Sequence, residues 1–183
     1  MSEAPIVVGL DRGGRLLRLT LARPKANIVD AHMLGALDAA LAAHLDDPAL
    51  AAVLLAAQGP HFSFGASVEE HLPAGCAAML ASLHGLLKRL LACPVPVLVA
   101  VQGQCLGGGL EVVLAGCRIF AHPEARLGQP EIRLGVFAPA ASALLPPRVG
   151  QAHAEDLLWS GRAVTGTQAF DMGLVDALAA DPV

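Results

Sequence analysis

The stretch Gln102-Gly103-Gln104-Cys105-Leu106-Gly107-Gly108-Gly109-Leu110-Glu111-Val112-Val113-Leu114-Ala115-Gly116-Cys117 decides how the rest of this chain is read. An apolar strand, Pro96 to Val101, runs into it. Three consecutive glycines follow, and then an almost wholly apolar helix. Glycine lets backbone N–H groups approach a ligand closely, and a helix start supplies unpaired N–H groups and the positive end of the dipole. Glu111 lies three residues beyond Gly108, on the same helix face. Two readings stand side by side. In one, the glycines serve close packing of strand, turn and helix, and Glu111 is simply favoured by the macrodipole of a first turn. In the other, they line an oxyanion pocket with a carboxylate beside it. A buried carboxylate is costly unless paired or protonated, which weighs slightly towards chemistry.

Outward from this stretch, composition sets the bounds. A length of 183 residues suits one substantial core, so a single domain over 1–183 is expected. Hydrophobic residues at 55% and charged residues at 15% exclude a disordered chain. No apolar run reaches the roughly 18 residues that a membrane helix needs. The start, Met1-Ser2-Glu3-Ala4-Pro5, lacks the basic region of a signal peptide, so a cytoplasmic location is expected. Net charge is −4, the 12 basic residues are scattered, aromatics are 3% and Tyr is absent. That balance argues against nucleic acid as a partner and offers no basic amphipathic helix for a membrane surface. A small molecule or another copy of the chain is the expected partner. Cys76, Cys93, Cys105 and Cys117 form no C-x-x-C pair and sit among apolar residues. They are expected to be free and buried rather than bridged or metal-bound.

Taken in order, Ile6 to Leu10 and Leu16 to Leu21 read as strands joined by the turn Asp11-Arg12-Gly13-Gly14. Asp30 reads as the N-cap of a helix through Met33, Leu34, Leu37, Leu41 and Leu45, stopping near Asp46-Asp47-Pro48. Ala51 to Ala56 is a short buried strand. Gly65 permits a strained turn, and a short helix is expected from Ala66. A longer helix is expected from Ala77 to Leu91, and Arg118 to Ala121 is a further strand. Arg126 to Arg133 reads as a loop or irregular strand, because Pro130 holds Gln129 extended. Helices follow over Ala138 to Leu145, Ala152 to Trp159, and from a Thr165 cap to Met172. No sequence repeat is visible. Hairpin strands followed by alternating helix and strand predict an α/β fold.

Several motifs are excluded. Counting from Gly107 and Gly109, the third glycine of a dinucleotide fingerprint would fall on Val112; Gly108-Gly109-Leu110 lacks the P-loop lysine; and no G-x-S-x-G elbow occurs. The seven histidines show no H-E-x-x-H spacing, and His71, His84, His122 and His153 read as surface or partner-satisfied. Two carboxylates could serve a glycosidase, but one Trp and no Tyr suit a sugar site poorly. What remains is Glu111, Glu131 and two glycine-marked turns.

Three blocks then carry a resemblance. Phe62-Ser63-Phe64-Gly65-Ala66-Ser67, Gln104-Cys105-Leu106-Gly107-Gly108-Gly109-Leu110-Glu111 and Gly128-Gln129-Pro130-Glu131-Ile132-Arg133-Leu134-Gly135 resemble, in order and spacing, the signatures of the enoyl-CoA hydratase/isomerase (crotonase) superfamily. Ala169-Phe170-Asp171-Met172-Gly173-Leu174-Val175 resembles its A-x-x-x-G-L-V segment. The resemblance implies an α/β crotonase-like stacked ββα spiral core, homotrimers or dimers of trimers, an acyl-CoA thioester substrate and no cofactor. Carried over by position, it implies that the Ala66 and Gly108 N–H groups form an oxyanion hole and that Glu111 and Glu131 are the catalytic carboxylates. Lys25, Ala26, Gly65, Ser67, Val68 and Gly107 fall at substrate- or CoA-contacting positions, with Arg23 beside them. Both glutamates together favour a hydratase over an isomerase or hydrolase.

Two departures stand out. Ser67 occupies a position where many members have Asp, and Val136-Phe137-Ala138-Pro139-Ala140-Ala141-Ser142 replaces a glycine-rich run. This variant resembles the branch that hydrates cyclic dienoyl-CoA thioesters in anaerobic aromatic degradation. A general short-chain enoyl-CoA hydratase or isomerase and a non-catalytic acyl-CoA-binding subunit are the alternatives. The C-terminal helical segment usual in the family is expected to be short or absent here, since Asp181-Pro182-Val183 closely follows the Gly-Leu-Val element.

Overall fold

In the computed structural model, which describes residues 4–180, the first two strands form the expected hairpin. β1 (Ile6–Asp11) pairs antiparallel with β2 (Leu16–Leu21) across a turn in which Arg12, Gly13 and Gly14 take positive φ. Leu17, Leu19 and Leu21 alternate along β2 into the core, as a half-buried strand requires.

From β2 onward the backbone repeats one unit four times, although the sequence does not repeat. Each unit is a strand in a large sheet, a short extended piece beside its predecessor, and a helix. The first unit is β2, then Val29, then α1 (Ala31–His44). The second is β3 (Ala52–Ala57), residues Ser63 to Ala66, and α2 (Cys76–Leu91). The third is β4 (Val97–Val101), β5 (Gln104–Leu106) and α3 (Gly108–Leu114). The fourth is β6 (Arg118–Ala121), β7 (Arg126–Gly128) and α4 (Pro139–Val149). After α5 (Gln151–Ser160), β8 (Ala163–Thr165) pairs antiparallel with β7, α6 (Gly166–Asp171) follows, and β9 (Ala177–Leu178) closes the far edge of the large sheet. This is the stacked ββα spiral that the resemblance implies.

The large sheet has the order β1-β2-β3-β4-β6-β9, parallel from β2 onward, with a helix in each crossover. Its register sets Leu19, Leu55, Val99 and Ile119 in one row, each at most 2% exposed. Leu34, Leu37 and Leu41 of α1 and Leu83, Leu86 and Leu87 of α2 belong to the same core. Asp30 caps α1 as expected, its carboxylate accepting from Met33 N, and Thr165 and Gln168 form a capping box on α6.

The structure departs from the sequence reading at several points. No helix starts at Ala66. That residue stays extended in a parallel bridge with Val29, and only a single 3-10 turn, Glu69–His71, follows. A 3-10 turn over Pro130–Leu134 replaces part of the expected loop. α4 continues past Leu145 through Pro146 and Pro147 to Val149: the prolines cannot donate to the preceding turn, but the extra turn buries Val149. Only Cys105 is buried; Cys76 and Cys93 are half-buried and Cys117 is exposed, though all four are free. His84 is neither a surface nor a satisfied histidine, since its buried Nε2 has no partner among the described residues.

Candidate active site

The small sheet explains why distant sequence blocks meet. Ser63 pairs with Cys105, and Cys105 pairs with Leu127, all parallel. Three extended segments therefore run side by side and end together. Counting three or four residues forward from that row reaches Ala66, Gly108 and Glu131 at the common C-terminal ends, where ligand sites of parallel sheets form.

The turns there are built for close approach. Gly65 has φ +111°, and a Cβ on it would lie 3.1 Å from Leu106 O. Gly107 has φ +52°, and a Cβ there would lie 2.9 Å from a Glu131 carboxylate oxygen. A Cβ on Gly108 would sit 3.2 Å from Ala66 N, so the two chain turns touch. In the Val29–Ala66 bridge Val29 N–H donates to Gly65 O, which leaves the Ala66 N–H facing away from that pairing. Gly108 is the first residue of α3, where N–H groups lack intrahelical partners. Neither amide donates to the backbone among the described residues.

The two glutamates are held differently. Glu111, in the first turn of α3, is 3% exposed, and one of its oxygens accepts from Ala141 N at 2.9 Å, in the first turn of α4. Burial pushes its pKa up, against the Ala141 and Ala140 amides and the His84 and His71 charges, which pull it down. Glu131 sits in the 3-10 turn after β7 and is pushed up to about 7, first by burial and also by the Glu111 charge. Its own backbone N–H and His71 oppose that rise.

The remaining expected positions are also placed. Lys25 is exposed and Ala26 half-buried, on a loop tied to the Ala66 segment by Phe64 N donating to Ala26 O at 2.9 Å. Arg23 is not free for a phosphate: it forms an ion pair with Asp30. Ser67 accepts weakly from Glu70 N through its hydroxyl, and Val68 is exposed.

Sequence reasoning assigned no role to two buried polar residues. Asn27 takes φ +44°, donates to Gln58 O and His61 O, and accepts from Arg23 N, pinning the Lys25 loop. Asparagine's tolerance of the left-handed region was the only available signal. Gln129, 1% exposed, sits against Glu131. Nothing in a Gln-Pro pair announces that contact.

The parallel spiral thus ends three extended segments beside two amides that do not donate to the backbone and two carboxylates raised by burial, a clustering of donors and titratable groups typical of enzymes. The sequence pattern of the enoyl-CoA hydratase/isomerase family matches residues 11–183, and the chain belongs to that family. It is 67% identical, over its whole length, to a cyclohexa-1,5-dienecarbonyl-CoA hydratase of Thauera aromatica, of which it spans 71%. It is 35% identical to a probable enoyl-CoA hydratase of Bacillus subtilis, with 89% of this chain and 65% of that one aligned. Among solved structures, an enoyl-CoA hydratase of Mycobacterium smegmatis superposes with a TM-score of 0.91 at 28% identity, covering 97% of this chain and 71% of that one.

Proposed function

We propose that this chain is a hydratase (a lyase) that adds water to a cyclic dienoyl-CoA thioester, with Ala66 and Gly108 as oxyanion donors and Glu111 and Glu131 as the acid–base pair. The observation that carries this reading is the convergence of those four residues at the ends of three parallel segments. The name of the Thauera aromatica relative supports the ring substrate.

The chemistry uses each group. Water's oxygen bonds to the conjugated carbon, and an electron pair moves through the double bond onto the thioester oxygen. Two preorganised N–H donors at that oxygen stabilise the enolate; losing one such donor costs about 3–4 kcal/mol. One carboxylate takes the proton from water. The other holds the water or returns a proton to carbon, and such help is worth roughly 10²–10⁴-fold. The thioester itself is the electron sink, so the reading calls for no metal, flavin or nicotinamide.

Lys25, Ala26, Gly65, Ser67, Val68 and Gly107 are proposed to line the path of the CoA ester, Lys25 by its charge and the glycines by leaving room. Ile132, Leu134, Val136 and Phe137 form an exposed apolar run beside Glu131. A run of that kind favours self-association, and a homotrimer or dimer of trimers is proposed. Light scattering of the purified chain tests that assembly. For catalysis, the test is the loss of conjugated thioester absorbance with cyclohexa-1,5-dienecarbonyl-CoA beside crotonyl-CoA. Faster turnover of the ring substrate supports the reading, faster turnover of crotonyl-CoA points to a general enoyl-CoA hydratase, and binding without turnover to a non-catalytic subunit.

A further inference from the structure

Two buried side-chain polar atoms, Gln102 Oε1 and His84 Nε2, have no hydrogen-bond partner among the described residues. Gln102 is anchored all the same, since its amide nitrogen donates to Ala57 O and Gly59 O. His84 has no such anchor. Its ring is half-buried on α2, a helix that packs against α3, and Nε2 is sealed from solvent. The α3 carboxylate Glu111 is close enough for the His84 charge to act on it, yet the two side chains do not bond each other. A buried polar atom without a partner costs stability, so the fold alone does not account for a histidine here. His71 also faces Glu111, but its ring is exposed and its Nδ1 lies 2.6 Å from Ser67 O.

What meets Nε2 must be small and polar. The thioester oxygen is assigned to the Ala66 and Gly108 amides, and Glu111 stands one helical turn beyond Gly108. An imidazole nitrogen donates or accepts according to its tautomer, and a water molecule or a hydroxyl meets it either way. We propose that His84 is a third catalytic residue: its Nε2 holds the oxygen of the attacking water, and then of the product hydroxyl, opposite Glu111. This rests on the reading of Glu111 as an acid–base group of a hydratase. The proton still passes to a carboxylate; His84 orients the oxygen, and no further bond is made or broken.

His84→Leu removes the unpartnered polar atom, so its Tm is expected to equal or exceed that of the wild type. Its kcat should fall about tenfold, the size of one hydrogen bond, with KM for the ring ester little changed. His84→Gln sets an amide near the place of Nε2 and should recover most of that loss. His84→Asn reaches only as far as Nδ1 and should not. Wild-type kcat in His84→Leu, equal rates in the Gln and Asn variants, or a kcat loss matched by a loss of Tm overturns the proposal. A second measurement needs no turnover. In calorimetry the wild type should bind 2-hydroxycyclohexanecarbonyl-CoA about tenfold more tightly than cyclohexanecarbonyl-CoA, and His84→Leu should lose that preference. A preference absent from the wild type, or surviving in His84→Leu, also overturns it. A wild type that hydrates nothing but shows the His84-dependent preference sinks the hydratase reading and leaves the hydroxyl contact of His84 standing.

Discussion

Gly107→Ala probes the site without removing any polar group. Gly107 has φ +52° and ψ −130°, a backbone conformation that side-chain-bearing residues rarely adopt. Holding alanine there costs about 1–3 kcal/mol. For a chain of this size each kcal/mol lowers Tm by roughly 2–4 °C, so a fall of about 2–12 °C is expected. The new methyl would also meet a Glu131 oxygen at 2.9 Å, which forces the carboxylate aside by several tenths of an ångström. A misplacement of 1 Å can cost about 10²-fold, so roughly a tenfold loss in kcat is expected, together with a raised KM because Gly107 lies on the proposed path of the CoA ester. The assay is thioester absorbance decay together with thermal unfolding. Gly35→Ala is the control: nothing lies within 4 Å of a Cβ there, the site is inside α1, and alanine should stabilise by about 0.5–1 kcal/mol. Wild-type kcat and Tm in Gly107→Ala would refute the close approach of Gly107 and Glu131.

Two further outcomes follow from the same geometry. Glu131 binds its proton more tightly folded than unfolded, because its pKa is raised from 4.5 to about 7. Its contribution to stability is therefore present below about pH 4.5 and is lost as pH rises through about 7. Glu131→Gln should flatten the stability profile over that window, and an unchanged slope in denaturant titrations at pH 5 and 8 would count against the raised pKa. Asn27→Ala leaves Gln58 O, His61 O and Arg23 N without their side-chain partner. A loss of about 2–4 kcal/mol in stability is expected, with weaker CoA-ester binding in calorimetry; a change within 0.5 kcal/mol, the usual range for surface substitutions, contradicts the pinning role.

Much of the large sheet was legible because its strands announce themselves. Leu16–Leu21 and Arg118–Ala121 are bounded by turn residues, and both match the structure residue for residue. The small sheet was not. β5, β7 and β8 have three residues each and β9 has two, too short for any periodicity to show. Yet that sheet aligns the site. Glu111, Glu131, Gly65, Gly107 and Gly108 could be singled out by residue type and by the family resemblance. Their convergence depends on the pairing of Ser63 with Cys105 and of Cys105 with Leu127, a tertiary fact that local pattern does not carry. Gln129 and the Arg23–Asp30 pair were missed for the same reason: each is defined by a partner that only the register brings into reach.

In the proposed reaction Glu111 and Glu131 act together on water beside a shared oxyanion pocket. Single-turnover hydration of the cyclic dienoyl-CoA, followed for wild type, Glu111→Gln and Glu131→Gln at saturating substrate, tests it most directly. Turnover by the wild type and a loss of about 10²-fold or more in each variant, with CoA-ester binding retained, are the expected results. Full activity in either variant would contradict it.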